Sequence, residues 1–322
     1  MTDTTLARGS VLGELSRRRK FVNTGMSVLV YIAFALALIP LVWLSYTVVT
    51  KGADRFMVNS AGQHVFNIEF LQQSMRGVFG GAPTGGILHA IWGTVIITGI
   101  AALISVPIGL LTSIYLVEYG KGRLKQAVTF FVDVMTGIPS IVAGLFAYAL
   151  FSILIGPGTK TAFTGAVALS VLMIPVVVRS SEEMLRLVPN ELREASYALG
   201  VPKYLTVLKV VVPTAFAGIT TGVTLAIARV IGETAPLLIA VGVADSLNFD
   251  PFNGRMMTLP VYIVTEWHKG TAVCSKSAGL TCLPQITEYR AWGAALVLIL
   301  IVMALNLIAR LVSKYFSPKT GR

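Results

Sequence analysis
Six long apolar runs, at about 23–48, 88–116, 126–153, 161–178, 212–241 and 291–313, limit what this chain can fold into. A helix needs ~20 apolar residues to cross the hydrocarbon core of a bilayer, and each run is close to or above that length. With 55% hydrophobic and only 13% charged residues and a mean hydropathy of +0.76, the 322-residue chain lacks the polar surface of a water-soluble globule. The expected fold is all-α and integral to a membrane, with six transmembrane helices. An even number of crossings puts both termini on one side. The first run is too long for a signal-peptide core and lacks an obvious small-residue cleavage site, so it reads as a retained helix.

The formal net charge of +11 comes from 26 Lys and Arg against 15 Asp and Glu. In a soluble chain such a surplus would suggest a nucleic-acid partner. With the N-terminus inside, and Arg310 at the end of the last run counted as inside, seventeen of the basic residues fall in inside segments and eight in outside segments, leaving Arg229 within a run. Basic residues crowd the cytoplasmic loops of membrane proteins, so the bias predicts both termini in the cytoplasm of a bacterial inner membrane and calls for no nucleic acid.

Two outside loops are long. The first, about 49–87, contains Gly80-Gly81-Ala82-Pro83-Thr84-Gly85-Gly86, which reads as a flexible stretch and not as a phosphate-cradling loop, because no Lys-Ser/Thr follows it. No such phosphate loop occurs elsewhere in the sequence, so ATP, if used, is bound by another chain. The last loop, about 242–290, carries both cysteines, Cys274 and Cys282. An oxidising compartment favours a disulfide between them, with two unpaired thiols as the alternative. No metal site is expected, since only His268 lies near them in sequence.

The segment from Val188 to Pro213 reads as a short exposed helix between the fourth and fifth runs. Asn190 is a good N-cap, Glu191 and Glu194 favour the positive end, and Gly200 followed by Pro202 stops the helix. Ala195, Ser196 and Ala198 give it a face of small residues against which another protein could pack. Glu194-Ala195-Ser196, then Gly200, then Val210-x-Val212-Pro213 resembles the cytoplasmic coupling loop of ABC importer permeases, whose pattern is Glu-Ala-Ala, three residues, Gly, nine residues, Ile-x-Leu-Pro. The resemblance implies that this loop docks into a groove of an ATPase subunit. A plain amphipathic connector on the membrane surface is the alternative.

Charged residues in spans cost about 2.5–3.5 kcal/mol each on insertion scales, so each needs a reason. Three qualify, Asp133 in the third run and Arg229 and Glu233 in the fifth, and Arg179 sits at the end of the fourth. Arg229 and Glu233 share a helix face at i and i+4, with Gly232 and Pro236 interrupting the helix beside them. A structural ion pair and an anion path, in which the arginine fork receives the anion and Glu233 balances it, both fit. Asp133 reads as a buried, hydrogen-bonded acid tying spans together, with pairing to an arginine or repulsion of an anion as alternatives. His89 reads as a packing residue, and the four tryptophans near span ends fit an aromatic belt.

Ala228-Arg-Val-Ile-Gly-Glu-Thr-Ala-Pro-Leu-Leu238 closely resembles the span-five signature of the permeases of phosphate-specific ABC importers, in the A-type of their two paired permeases. Ile174 to Pro189, Pro139-Ser140-Ile141-Val142 with Gly144, and Gly85 to Ala90 resemble the same family. The resemblance implies the type I ABC importer permease fold over 85–315, between a basic segment 1–22, a first helix and outer loop 23–84, and a tail 316–322. It implies that Arg179 and Arg229 line a phosphate pathway and that this chain is not itself an enzyme. The implied partners are a paired permease, a dimer of ATPase subunits holding ATP and Mg, and an extracytoplasmic phosphate-binding protein. A permease for sulfate, molybdate or phosphonate, or a stand-alone secondary transporter, are the competing expectations.

Overall fold
The computed structural model describes residues 17–274 and 282–316. The start of the basic N-terminal segment, Lys276 in the last loop and the tail from Ser317 lie outside the described residues. The chain divides into two units, Met1–Thr50 and Lys51–Arg322. The first is helical from Arg17, where α1 (Arg17–Phe56) begins, so Arg17 to Lys20 form its first turn. Its apolar side chains, Tyr31, Phe34 and Trp43 among them, are exposed, as suits a helix surrounded by hydrocarbon.

In the second unit the elements are α2 (Glu69–Gln72), α3 (Leu88–Ile114), α4 (Gly122–Thr136), α5 (Ser140–Leu154), α6 (Ala162–Arg186), α7 (Asn190–Ala198), α8 (Lys203–Thr206), α9 (Val212–Ile231), α10 (Ala235–Ala240), α11 (Leu259–His268) and α12 (Ile286–Phe316). Among the described residues five helical stretches are long and apolar enough to span a membrane, Arg17–Phe56, Leu88–Tyr119, Ala162–Arg186, Lys203–Ile231 and Ile286–Tyr315. The third apolar run is not one straight helix. It is split into α4 and α5, which meet at 105°. The physical cause is Gly137-Ile138-Pro139, because proline cannot donate to the preceding turn and disfavours helical geometry in the residue before it.

The fifth run differs as well. Its helix starts earlier, at Lys203, passes through a π-helical turn at Val207–Val211 and ends at Ile231. Pro213 has no N–H for the carbonyl four residues back, and the widened turn falls just before it. The fourth helix runs two turns beyond its expected end, so Arg179 lies inside α6 and not at its boundary. Thr161 caps the start of α6 by accepting from the Thr164 N–H at 3.2 Å.

The core forms where α3 and α6 lie against each other through small side chains. Ile97, Ala101, Ala166, Leu169, Met173 and Val177 are fully buried there. Ser170 donates to the Ala166 carbonyl at 2.7 Å, so its hydroxyl is satisfied inside its own helix. α6 also packs against α4, α5, α9 and α10, and α9 and α11 pack against α12. Gly144 on α5 meets the backbone of α10 at Pro236, where a Cβ would come within 2.6 Å of the Pro236 Cα. Backbone cannot give way as a flexible side chain does. Gly144→Ala should therefore destabilise the chain by about 1–3 kcal/mol. Gly99→Ala on α3, where a Cβ meets nothing within 4 Å, should be neutral or stabilising by up to about 1 kcal/mol. Thermal unfolding of the two variants in detergent checks the pair.

Candidate functional site
The charged side chains of the spans are gathered on α6 and its neighbours. Arg179 uses both terminal nitrogens. Nη1 donates to Glu182 Oε2 at 2.9 Å, and Nη2 donates to Asp133 on α4. Glu182 is buried, and its second oxygen accepts from Arg186 at 2.5 Å. Glu182 did not stand out in the sequence, where it is one of two adjacent glutamates. Only the helix rotation shows that Glu182 faces inward while Glu183 is exposed. Asp133 does tie two helices together, but its side chain is 58% exposed and not buried. α4 lies on the rim of the unit, where most of its side chains have no neighbour to cover them.

Arg229 lies in the last turn of α9 and is exposed, and Glu233 is half-buried beyond the helix end. Among the described residues no ion pair joins them. The spacing i, i+4 brings side chains together only in continuous helix, and here the helix stops at Ile231, with Gly232 to Thr234 outside regular structure before α10. Arg179 and Arg229 thus stand on adjacent packed helices, one held by two carboxylates and the other presented on the surface.

The short helix α7 is exposed apart from Arg193 and Ser196, and the Ser196 hydroxyl meets that of Thr206 at 2.8 Å. Ser196 therefore faces inward, while Glu194, Ala195 and Ala198 face outward. Asn190 is the first residue of the helix and not its cap, since its side chain accepts from Arg193 Nη1 at 3.2 Å in place of a backbone N–H. Gly200 ends the segment with φ +76°, a left-handed conformation that a side chain would strain. Leu192, Tyr197, Leu199 and Tyr204 leave an exposed apolar patch around it.

Arg193, unremarked in the sequence, fastens this helix to the bundle. Its Nε donates to Glu118 Oε1 at 3.0 Å, Nη2 to the Leu185 carbonyl at 3.0 Å and Nη1 to the Val188 carbonyl at 2.6 Å. Lys203 adds a bond to the Glu118 carbonyl. Glu118 lies in the π-helical turn that ends the second span, so α7 is tied both to that span and to the end of α6.

At the opposite end of the bundle two arginines are fully buried. Arg290 Nη2 donates to the carbonyls of Ala82 and Thr84 at 2.6 and 2.7 Å, and Arg55 Nη2 donates to those of Pro83 and Gly85 at 3.2 and 3.0 Å. The glycine-rich stretch from Gly80 to Gly86, expected to be flexible, is thus clamped through its carbonyls. Glu266 on α11, also buried, lies 3.6 Å from Arg290. His89 packs edge-on against Tyr262, with ring centres 5.7 Å apart. Cys274 and Cys282 form a disulfide, and Gly81 lies so close that a Cβ there would come within 2.3 Å of the Cys282 sulfur. Among the described residues no group of three His, Cys, Asp or Glu side chains is placed to hold a metal.

Spanning helices around a small-residue core, a broken third span and a fastened helix between the fourth and fifth spans define a membrane-embedded permease. Residues 105–322 match the family of binding-protein-dependent transport system inner membrane components. The chain is 46% identical over 302 residues to the phosphate transport system permease protein PstA 1 of Mycobacterium tuberculosis strain H37Rv, covering 94% of this chain and 91% of that protein. The Mycobacterium leprae PstA is 44% identical, covering 92% and 90%, and the Pasteurella multocida PstA is 35% identical, covering 91% and 95%. In fold, the chain resembles one from the MetNI methionine ABC transporter with a TM-score of 0.56 at 18% identity, covering 72% of this chain and 96% of that one. A chain of a bacterial alginate ABC transporter gives a TM-score of 0.54 at 12% identity, covering 91% and 96%. The chain belongs to the inner-membrane permease family of binding-protein-dependent transport systems, as a subunit of the PstA type.

Two predictions follow from the fastenings. Arg193→Ala leaves Glu118 without its partner, and because that pair is largely buried the loss should cost about 3 kcal/mol; hydrogen exchange over 190–198 should rise while that of α3 and α6 does not. In the loop before α2, hydrogen bonds from the Ser60 hydroxyl and N–H hold the Glu69 carboxyl below its ordinary value of 4.5. A lowered carboxyl stabilises the fold above the unfolded-state value, and that contribution is lost as pH falls through the depressed one. Exchange protection of 59–72 should therefore weaken in acid, and Ser60→Ala should remove most of that dependence.

Proposed function
We propose that this chain is one transmembrane half of an ATP-driven inorganic phosphate importer. The names of its relatives support the substrate, and the exposed position of Arg229 carries the reading of the site. A fixed cation on the surface of a spanning helix costs about 2.5–3.5 kcal/mol if it faces lipid. Covering that face with a second permease turns the cost into a shared, water-accessible path for an anion. Arg229 and Arg179 then give transient charge compensation to a phosphate that must shed water, and Glu233 balances Arg229 when no anion is present.

The paired permease is of the PstC type. A dimer of PstB-type ATPase subunits, holding ATP and Mg, docks on the α7 loop through Glu194 and Ala195, with Ser196 bracing α7 against Thr206, Gly200 closing the helix and Pro213 lying within the span that follows. Hydrolysis takes place on those subunits, so this chain is non-catalytic. An extracytoplasmic binding protein of the PstS type delivers phosphate at the opposite end, where the Cys274–Cys282 disulfide and the clamped glycine stretch stiffen the surface. The bias of basic residues supports both termini, and α7, lying in the cytoplasm. The relatives favour neither a stand-alone secondary transporter nor a permease for another anion.

In the reconstituted importer Arg229→Gln should lower phosphate uptake by about tenfold or more, the scale of losing one hydrogen bond to a charged group, while the subunits still co-purify. Retained uptake in that variant would remove Arg229 from the path.

A further inference from the structure
The two carboxylates that hold Arg179 are not equivalent. Glu182 is buried, lies on the same helix, and has both oxygens taken by arginines, Oε2 by Arg179 at 2.9 Å and Oε1 by Arg186 at 2.5 Å. It cannot leave without stranding a buried charge. Asp133 comes from α4, the helix that meets α5 at 105°, its side chain is 58% exposed, and Oδ1 makes its one ion pair among the described residues. Each terminal nitrogen of Arg179 already donates to a carboxylate, Nη1 to Glu182 and Nη2 to Asp133, so the guanidinium charge is offset from two sides. An anion that takes both terminal nitrogens of Arg179 competes with these carboxylates, and Asp133 is the one placed to yield.

We propose that Asp133 is a tethered occupant of Arg179 which the transported phosphate displaces, and which returns to expel it. The inference rests on Arg179 lying in the phosphate pathway. A carboxylate and a hydrogen phosphate ion offer the same oxygen acceptors to a guanidinium fork, so they compete for one place. With Asp133 engaged, the group Asp133, Arg179, Glu182 and Arg186 has no net charge. Without it the group carries one positive charge and becomes a trap for the anion. A carboxylate on an exposed rim helix therefore limits how long phosphate is held and favours release. It also selects for ligands that outbid it, since a doubly charged oxyanion competes better for the fork than a singly charged one does.

The test compares Asp133→Asn, Asp133→Glu, Arg179→Gln and the double variant D133N/R179Q in nanodiscs holding both permeases and the ATPase dimer. Equilibrium binding of radiolabelled inorganic phosphate is measured without the binding protein, and maximal uptake is measured with it. Asp133→Asn should bind phosphate at least roughly fivefold more tightly, the lower range of a coupling between sites, and its maximal uptake should fall. Asp133→Glu, which keeps the charge, should show no gain in binding, and the double variant should lose the gain. Unchanged binding in Asp133→Asn, with uptake abolished in Arg179→Gln, would overturn the inference and leave the pathway intact. Uptake that survives Arg179→Gln would overturn the pathway reading and the inference with it. Should Asp133→Asn fail to assemble, carbodiimide labelling of Asp133 in the wild-type complex decides. Labelling that rises during turnover with phosphate, relative to chloride, supports displacement, and equal labelling overturns it.

Discussion

The close approach of α3 and α6 is the contact on which the other elements rest. Alanines, a glycine and serines along the two helices let their backbones come together, and in hydrocarbon such packing replaces the hydrophobic force that drives association in water. Because α6 is held on that side, its other faces are free to carry α4, α5, α9 and α10. The same helix carries Arg179, Glu182 and Arg186, so the charged row is mounted on the most firmly packed element of the bundle. A buried carboxylate is tolerable there because two arginines one turn away satisfy it.

The two ends of the bundle use arginine differently. At the α7 end, Arg193 reaches a carboxylate and several carbonyls, binding a short exposed helix to the tips of two spans. At the α11 end, Arg55 and Arg290 reach chiefly carbonyls, fixing a loop that has little side-chain material of its own. In both cases a planar fork with several donors holds backbone that regular hydrogen bonding leaves unsatisfied. Glu118, which receives Arg193, lies just before the start of α4, the helix bearing Asp133.

Much of this was legible in the amino-acid order. Long apolar runs require helices whatever their neighbours, since backbone polar groups in hydrocarbon must bond within their own segment. Gly200 followed by Pro202 marked the end of α7, because helix termination depends on the few residues at that end. Pairings across elements were not legible. Arg229 and Glu233 have the right spacing to pair, but the helix ends between them, next to the Gly232 that the sequence marks as an interruption, and only the structure shows the two side chains unpaired with each other. Glu182 and Glu183 are the same residue type side by side, and which one is buried depends on the packing of α6. Asp133 and Arg179 are 46 residues apart, and nothing local connects them.

The sequence by itself determined that the chain crosses a membrane, about where it crosses, and that one connecting helix stands exposed, because length, hydropathy and capping act over a few turns. The tertiary structure alone decided that Arg179 is held between two carboxylates and that the glycine stretch is clamped. Those outcomes depend on the partner each group finds in a medium of low dielectric, where an unpaired charge or carbonyl is too costly to leave, and that partner comes from a distant part of the chain.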